Sequence, residues 1–228
     1  MSKLLKKVAR SSVTTLIAIL CLTACKKTIK PSGEDSTTTP RAVVQPNAFK
    51  LWGTCTNPYL GSGGVIVPVG SNSCSPNYVG AQQNNGQNAN GFSFYGCFKG
   101  GTNAPNGANE ASVFLCDNIT TWTGKEFGFT KTLNDNALKA YLQSPGNVFI
   151  YQTLLLNDNG YHNFKAQVQS GDHSKVDFYI DDVYKLTLQN PGQNYYNNYD
   201  YFVGTTHRTD GGWSSTGQQI EMYSINVW

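Results

Sequence analysis

From residue 91 to the C-terminus, short runs of alternating apolar and polar residues follow one another: GFSFYGCF, ASVFLCD, EFGFTKTL, ALKAYLQS, NVFIYQTLLL, YHNFKAQVQ, KVDFYID, VYKLTLQ, YFVGTT and IEMYSINVW. A period of two sends every second side chain to the same face. Turn-forming clusters separate most of the runs: NDN at 134–136, SPGN at 144–147, NDNG at 157–160, SGDHS at 170–174 and NPGQN at 190–194. Strands this short, with no helical period between them, predict an all-β antiparallel sandwich of two sheets. The 228 residues can bury one such core, and no second stretch is able to build another, so one domain is expected over residues 46–228. The stretch 56–91, rich in Gly, Ser, Asn and Gln, reads as long surface loops pinned by cysteines.

The N-terminus speaks to the compartment. Lys3, Lys6, Lys7 and Arg10 precede an apolar run at 13–22, VTTLIAILCL, which is short for a membrane span but has the flanks of a signal peptide over residues 1–24. Leu22-Thr23-Ala24-Cys25 resembles the lipobox of bacterial lipoproteins. That resemblance implies cleavage before Cys25, a diacylglyceryl group on its thiol and acylation of the new amino group, enough for stable anchoring. An ordinary secretory signal with an incidental cysteine is the alternative. Residues 25–45 are polar, contain Pro31 and Pro40 and lack periodicity, as a flexible lipidated tether would. The expected location is the bacterial cell envelope, as an outer-membrane lipoprotein. Lys26-Lys27-Thr28 has no acidic cluster resembling a surface-export signal, so the leaflet stays open.

Processing changes the charge. The chain has 17 basic and 14 acidic residues, the leader holds four of the basic ones, and from residue 42 onward 9 basic face 12 acidic. No basic stripe remains to neutralise phosphates, which argues against a nucleic-acid partner. Beyond the tether stand Cys55, Cys74, Cys97 and Cys116. An even number in an exported protein argues for two disulfides with three possible pairings, of which the two local loops, Cys55 with Cys74 and Cys97 with Cys116, are preferred. With no CxxC pair and with His162, His173 and His207 far along the chain, no metal site is assigned. No cofactor is expected, although Asn157, Asp158 and Asn159 could supply some oxygen ligands to a structural calcium.

In YHNFKAQVQ, His162 shares a face with Phe164, Ala166 and Val168, which reads as a core histidine held by a hydrogen bond. Asp181 and Asp182 sit where one strand turns into the next and read as turn caps. YHNFKAQV followed by KVDFYIDDVYKLTL resembles the paired strands of concanavalin A-like lectins and glucanases, and IEMYSINVW resembles their closing strand. The resemblance spans residues 147–228. It implies a jelly roll of one convex and one concave antiparallel sheet, whose concave face and rim loops commonly bind glycans. Asp182 stands where the hairpin glycine would be.

Glucanases of this superfamily carry E-x-D-x-E or E-x-D-x-x-E on one strand, and that motif is absent here. Asp177 with Asp181 is the nearest group, and Glu110, Glu126 and Glu221 are isolated in sequence. His207, Arg208 and a tyrosine could supply lyase chemistry, but their spacing matches no lyase motif, so no catalytic residue is assigned and an enzyme is the minority reading. In NPGQNYYNNYDYF, Tyr195, Tyr196 and Tyr199 alternate with amides, and Trp213 follows in TDGGWSS. Aromatic faces stack on sugar rings while amides bond hydroxyls, so these four are the expected carbohydrate platform. Tyr201 and Phe202 are expected in the core; Trp52 and Trp122 fit core or surface equally. The expected partner is a polysaccharide or oligosaccharide, the second reading is a hydrolase or lyase on the same fold, and the third is a structural or protein-interaction module with no protein partner named.

Overall fold

A computed structural model describes residues 42–43, 48–53, 58–61, 63–68, 77–99, 110–117, 124–132, 137–196, 199–208 and 219–228. In chain order its strands are β1 (Ala42–Val43), β2 (Lys50–Gly53), β3 (Tyr59–Gly61), β4 (Gly64–Pro68), β5 (Asn77–Ala89), β6 (Gly91–Lys99), β7 (Glu110–Cys116), β8 (Glu126–Thr132), β9 (Ala137–Ser144), β10 (Val148–Leu156), β11 (His162–Val168), β12 (Lys175–Ile180), β13 (Val183–Gln189), β14 (Tyr199–Arg208) and β15 (Gln219–Val227). The back sheet runs β13-β12-β11-β6-β15-β4-β3, with β1 on β15 as well; the groove sheet runs β10-β9-β8-β7-β14-β5-β2. Every pairing is antiparallel. Residues 39–228 form one compact unit that holds all of these strands.

The alternation explains the core. Phe92, Phe94, Phe98, Phe164 and Phe178 point inward from the back sheet and meet Phe127, Phe129 and Phe202 from the groove sheet. Phe94 stacks on Phe164 at 4.8 Å, and Phe129 meets Phe178 edge-on at 5.4 Å. Such pairs add about 0.5–1.5 kcal/mol each beyond the area they bury.

Lys131 breaks the pattern. It shares the inward parity of Phe127 and Phe129 and is fully buried. Its ammonium donates to Phe98 O at 2.8 Å, Asp158 O at 2.5 Å and Asn159 Oδ1 at 2.6 Å, tying β8 to β6 and to the loop before β11. Burial lowers its pKa to about 8, with the Asp158 carboxylate opposing. The oxygens of Asp158 and Asn159 considered for calcium thus face a cation that the chain itself supplies.

Three expectations need correction. The stretch 56–91 contains β3, β4 and the thirteen-residue β5 rather than loops alone. Gly, Asn and Gln disfavour strands intrinsically, but β5 is paired on both sides, by β14 and β2, and that pairing prevails. Ala42–Val43 already pair with β15, so ordered structure begins ahead of residue 46. The Cys97–Cys116 bridge does not form. Cys97 is a buried thiol on the outward side of the back sheet beside Glu221, whereas Cys116 clusters with Phe114, Tyr141 and Val203 on the outer side of the groove sheet. Two sheets stacked ~10 Å apart, with both side chains pointing away from the core, hold the sulfurs beyond bridging distance. Cys25, Cys55 and Cys74 lie outside the described residues.

The hairpin between β12 and β13 fits its sequence reading. Asp181 and Asp182 take φ of 54° and 61°, as a two-residue type I′ turn requires. Asp181 accepts from Asn163 N at 2.9 Å and faces His162 Nδ1 at 2.6 Å, so it ties the turn to β11. His162 also lies 3.2 Å from Asp158, and the histidine serves the frame. Asp182 makes no such contact and only bears the strain, so Asp182→Gly is expected to add about 0.5–1 kcal/mol, read as a higher urea midpoint at unchanged slope.

Candidate functional site

The outward rows of the groove sheet read Glu110, Ser112, Phe114 and Cys116 on β7, Glu126, Gly128 and Thr130 on β8, Tyr141 and Gln143 on β9, and Phe149 and Tyr151 on β10. All of these except Cys116 and Gly128, together with Trp52 and Thr205, line a groove of about 460 Å³. Its aromatic side is open to solvent: Phe149 and Tyr151 are 43% and 48% exposed, with rings 5.5 Å apart and within 10° of parallel. Below them the buried rings of Tyr141, 6.1 Å from Tyr151, and Phe114, 6.2 Å from Tyr141, form part of the groove's base. Two glycines shape the floor. A Cβ at Gly80 would run into the Trp52 indole, and one at Gly128 would strike Val113 O and Phe114.

Two carboxyl groups line this groove, each perturbed. Burial pushes Glu126 up to about 8, with the Tyr141 hydroxyl, which donates to it at 3.2 Å, opposing and Asp117 adding to the rise. Burial also raises Glu110, opposed by Lys139. Tyr151 is pushed up to about 12 by burial and by the fields of Glu110 and Glu126. At neutral pH Glu126 is therefore an uncharged acid beside the rings, hydroxyls and amides of the groove.

The register fixes how far apart these carboxyls stand. Glu126 pairs with Cys116, and Glu110 starts the same strand, pairing with Thr132. At ~3.3 Å per residue their backbones are about 20 Å apart, beyond the roughly 5–9.5 Å between the two carboxyl groups of a glycosidase. Each strand thus carries a single acid where an E-x-D-x-E strand carries three.

No protein family and no curated protein sequence matches this chain. Solved structures do. The Bacillus licheniformis β-glucanase superposes with a TM-score of 0.50 at 14% identity, over 82% of this chain and 89% of that one. The glycoside hydrolase family 16 endo-glucanase from Bacteroides ovatus gives 0.53 at 10% identity, over 82% and 93%. The carbohydrate recognition domain of Emp47p gives 0.50 at 9%, over 80% and 89%. The fold is the concanavalin A-like jelly roll. At these identities the likeness concerns the fold alone.

Within this jelly roll the expected platform falls apart. Tyr195 and Tyr199 are fully buried, so neither ring has a face for a sugar. The Tyr195 hydroxyl donates to Gln143 O at 3.2 Å and accepts from Asn190 at 3.2 Å, while Tyr199 meets Phe127 edge-on at 4.9 Å. Tyr196 is half-buried, stacked on His173 at 4.2 Å. Trp213 and Trp122 lie outside the described residues. Phe202 is in the core as expected, whereas half-buried Tyr201 packs on the groove side against the cluster around Phe114 and Tyr141. The residues of the enzyme reading are scattered as well. Asp177 is on the back sheet, accepting from Gln169 at 2.7 Å and from Thr187, and Asp181 caps its turn. His207 pairs in register with Glu110 on the groove sheet.

The sequence reading missed Glu110, Glu126, Tyr141, Phe149 and Tyr151 as a set. Their parity was visible in each strand, but their meeting depends on which strands are neighbours. On the back sheet a separate polar cluster surrounds Glu221: burial opposes its ionisation, but donors on Lys99, Tyr161, Gln219 and Tyr223 outweigh it and hold the carboxyl at about 2. Burial and Glu221 together raise the Cys97 thiol, which leaves it protonated and unreactive.

Proposed function

We propose that this protein is a lipid-anchored, exported glycan-binding protein whose sugar site is the groove of the β10-to-β2 sheet. The observation that carries the reading is the groove itself: exposed, near-parallel rings beside Ser112, Thr130, Gln143 and Thr205, with Glu126 held neutral by burial. Rings of this kind stack on the apolar faces of sugars while the polar side chains bond hydroxyls. The neighbours described as glucanases and as a carbohydrate recognition domain agree with a glycan ligand. Anchoring through Cys25 and an outer-membrane location rest on the leader and the tether, and the choice of leaflet stays open.

One observation favours a hydrolase as the second reading. A carboxyl that stays protonated to about pH 8 is in the state a general acid needs. The other carboxyl lining the groove, Glu110, stands too far along its strand to be the partner of Glu126, which weighs against it. Native affinity electrophoresis of residues 39–228 through gels containing different polysaccharides, with the recovered polymer checked for shortening, separates the readings. Retardation without shortening is expected. Shortening would establish the hydrolase, and no retardation across a broad panel would remove the glycan reading.

A further inference from the structure

Glu126 lines the groove although only 5% of it is exposed. Its Oε2 accepts from the Tyr141 hydroxyl at 3.2 Å, and among the described residues no hydrogen bond reaches its Oε1. The titratable groups around it come from four strands: Tyr141 from β9, Tyr151 from β10, Cys116 with the adjoining Asp117 from β7, and Tyr199 from β14. None of them is a cation. Lys125, its neighbour in sequence, turns its ammonium to Asn194 O at 2.8 Å. Burial, with Asp117 adding and the Tyr141 bond opposing, therefore keeps this carboxyl protonated to about 8. A protonated carboxyl carries an O–H, and an enclosed O–H with no acceptor is costly. Other donors at the base of the groove are already engaged. Ser112 and Thr130 bond each other at 2.7 Å, Thr205 donates to Val79 O at 2.9 Å, and the Gln143 amide lies 3.4 Å from Gly124 O and from Asn147 Oδ1.

Resting on the glycan reading of this groove, we propose that the protonated Glu126 carboxyl is the hydrogen-bond donor to an oxygen of the bound sugar, and that its ionisation releases the glycan. Hydroxyl and ring oxygens both accept such a bond. Deprotonation removes the donor. Once a ligand shuts out water, it also leaves an enclosed anion whose protein donor is the Tyr141 hydroxyl and whose neighbour is Asp117, an unfavourable state. Affinity should thus be full below about 8 and fall as pH rises through that value. Linkage gives the converse: a ligand that prefers the neutral acid raises the pH at which the acid ionises, by about one pH unit for a tenfold preference.

The test is native affinity electrophoresis of residues 39–228 from about pH 6 to about pH 9.5, each gel paired with a polysaccharide-free gel at the same pH. The probes are uncharged, so that only the protein titrates: mixed-linkage glucan, laminarin and galactomannan. Wild-type affinity should fall about tenfold across the range, whereas Glu126→Gln, whose amide donates at every pH and keeps an oxygen for Tyr141, should vary by less than about twofold. Glu110→Gln should retain the fall, and circular dichroism checks that each protein stays folded at each pH. Carbon-13 titration of the glutamate carboxyls gives an independent reading, in which the glycan should move the Glu126 transition to higher pH. Wild-type retardation that ignores pH would overturn the inference and leave the glycan reading standing. So would a fall that persists in Glu126→Gln or disappears in Glu110→Gln, or a Glu126 transition that the glycan leaves in place or lowers. No retardation by any probe at about pH 6 would instead count against the glycan reading itself, and the inference would go with it.

Discussion

Lys131→Ala should be among the most damaging single substitutions in this sandwich, with an expected loss of about 3 kcal/mol. The lysine enters the interior from β8, and its ammonium is the donor to Phe98 O, Asp158 O and Asn159 Oδ1. Replacing a whole buried polar group with apolar residues can be neutral, but here the acceptors would remain after the donor is gone. Each buried acceptor left without a donor costs ~1–3 kcal/mol, discounted here because the Asp158–Asn159 loop is partly open to water. For a domain of this size that lowers the melting temperature by roughly 6–12 °C. The damage should also spread locally, because Asp158 and His162 are held by the same loop. Faster hydrogen exchange at 157–163 than elsewhere would mark it; an unchanged melting temperature would show that the ammonium does not hold the two sheets together.

Glu126→Gln should act in the opposite direction and only above acidic pH. The folded carboxyl keeps its proton to about 8, while the unfolded one loses it near its ordinary value of 4.5. Below that value both states hold the proton. Between the two values only the folded state does, so unfolding releases a proton and stability falls as pH rises. Above about 8 the whole contribution is lost. A shift of this size corresponds to several kcal/mol at most, and about 2 kcal/mol is a realistic expectation after water access is allowed for. Glutamine keeps an oxygen for the Tyr141 hydroxyl and cannot ionise. Urea midpoints for the two proteins should coincide near pH 4 and separate toward pH 9, with the variant more stable; parallel curves would mean that Glu126 is solvated and titrates normally.

How much of this was legible depends on whether a feature is local. Strands β6 to β15 follow from alternation and turn chemistry, and so does the turn at Asp181–Asp182, but its I′ type was not legible because aspartate stands where the hairpin glycine would be. The parity of EFGFTKTL already places Lys131 with Phe127 and Phe129, a legible anomaly. β5 was hidden because NYVGAQQNNGQNA has the composition of a loop and becomes a strand only between β14 and β2. The tyrosines at 195–199 were misread for a related reason: Tyr-Asn composition is the same whether the ring faces sugar or packs under β9. Glu110 and Glu126 looked isolated because their shared groove exists only once β7 and β8 are neighbours.

The central claim is that the groove of the β10-to-β2 sheet, and not the 190–196 loop, holds the sugar. The most direct measurement is affinity electrophoresis, on a polysaccharide that retards the wild type, of Phe149→Ala with Tyr151→Ala beside Tyr196→Ala, with Val148→Lys as a control on the same strand but outside the groove. The double groove variant should lose at least tenfold in apparent affinity, about 1.4 kcal/mol, while Tyr196→Ala and Val148→Lys stay within about twofold of the wild type. Wild-type retardation of the double variant, or its loss on Tyr196→Ala alone, would contradict the account and return the site to the loop.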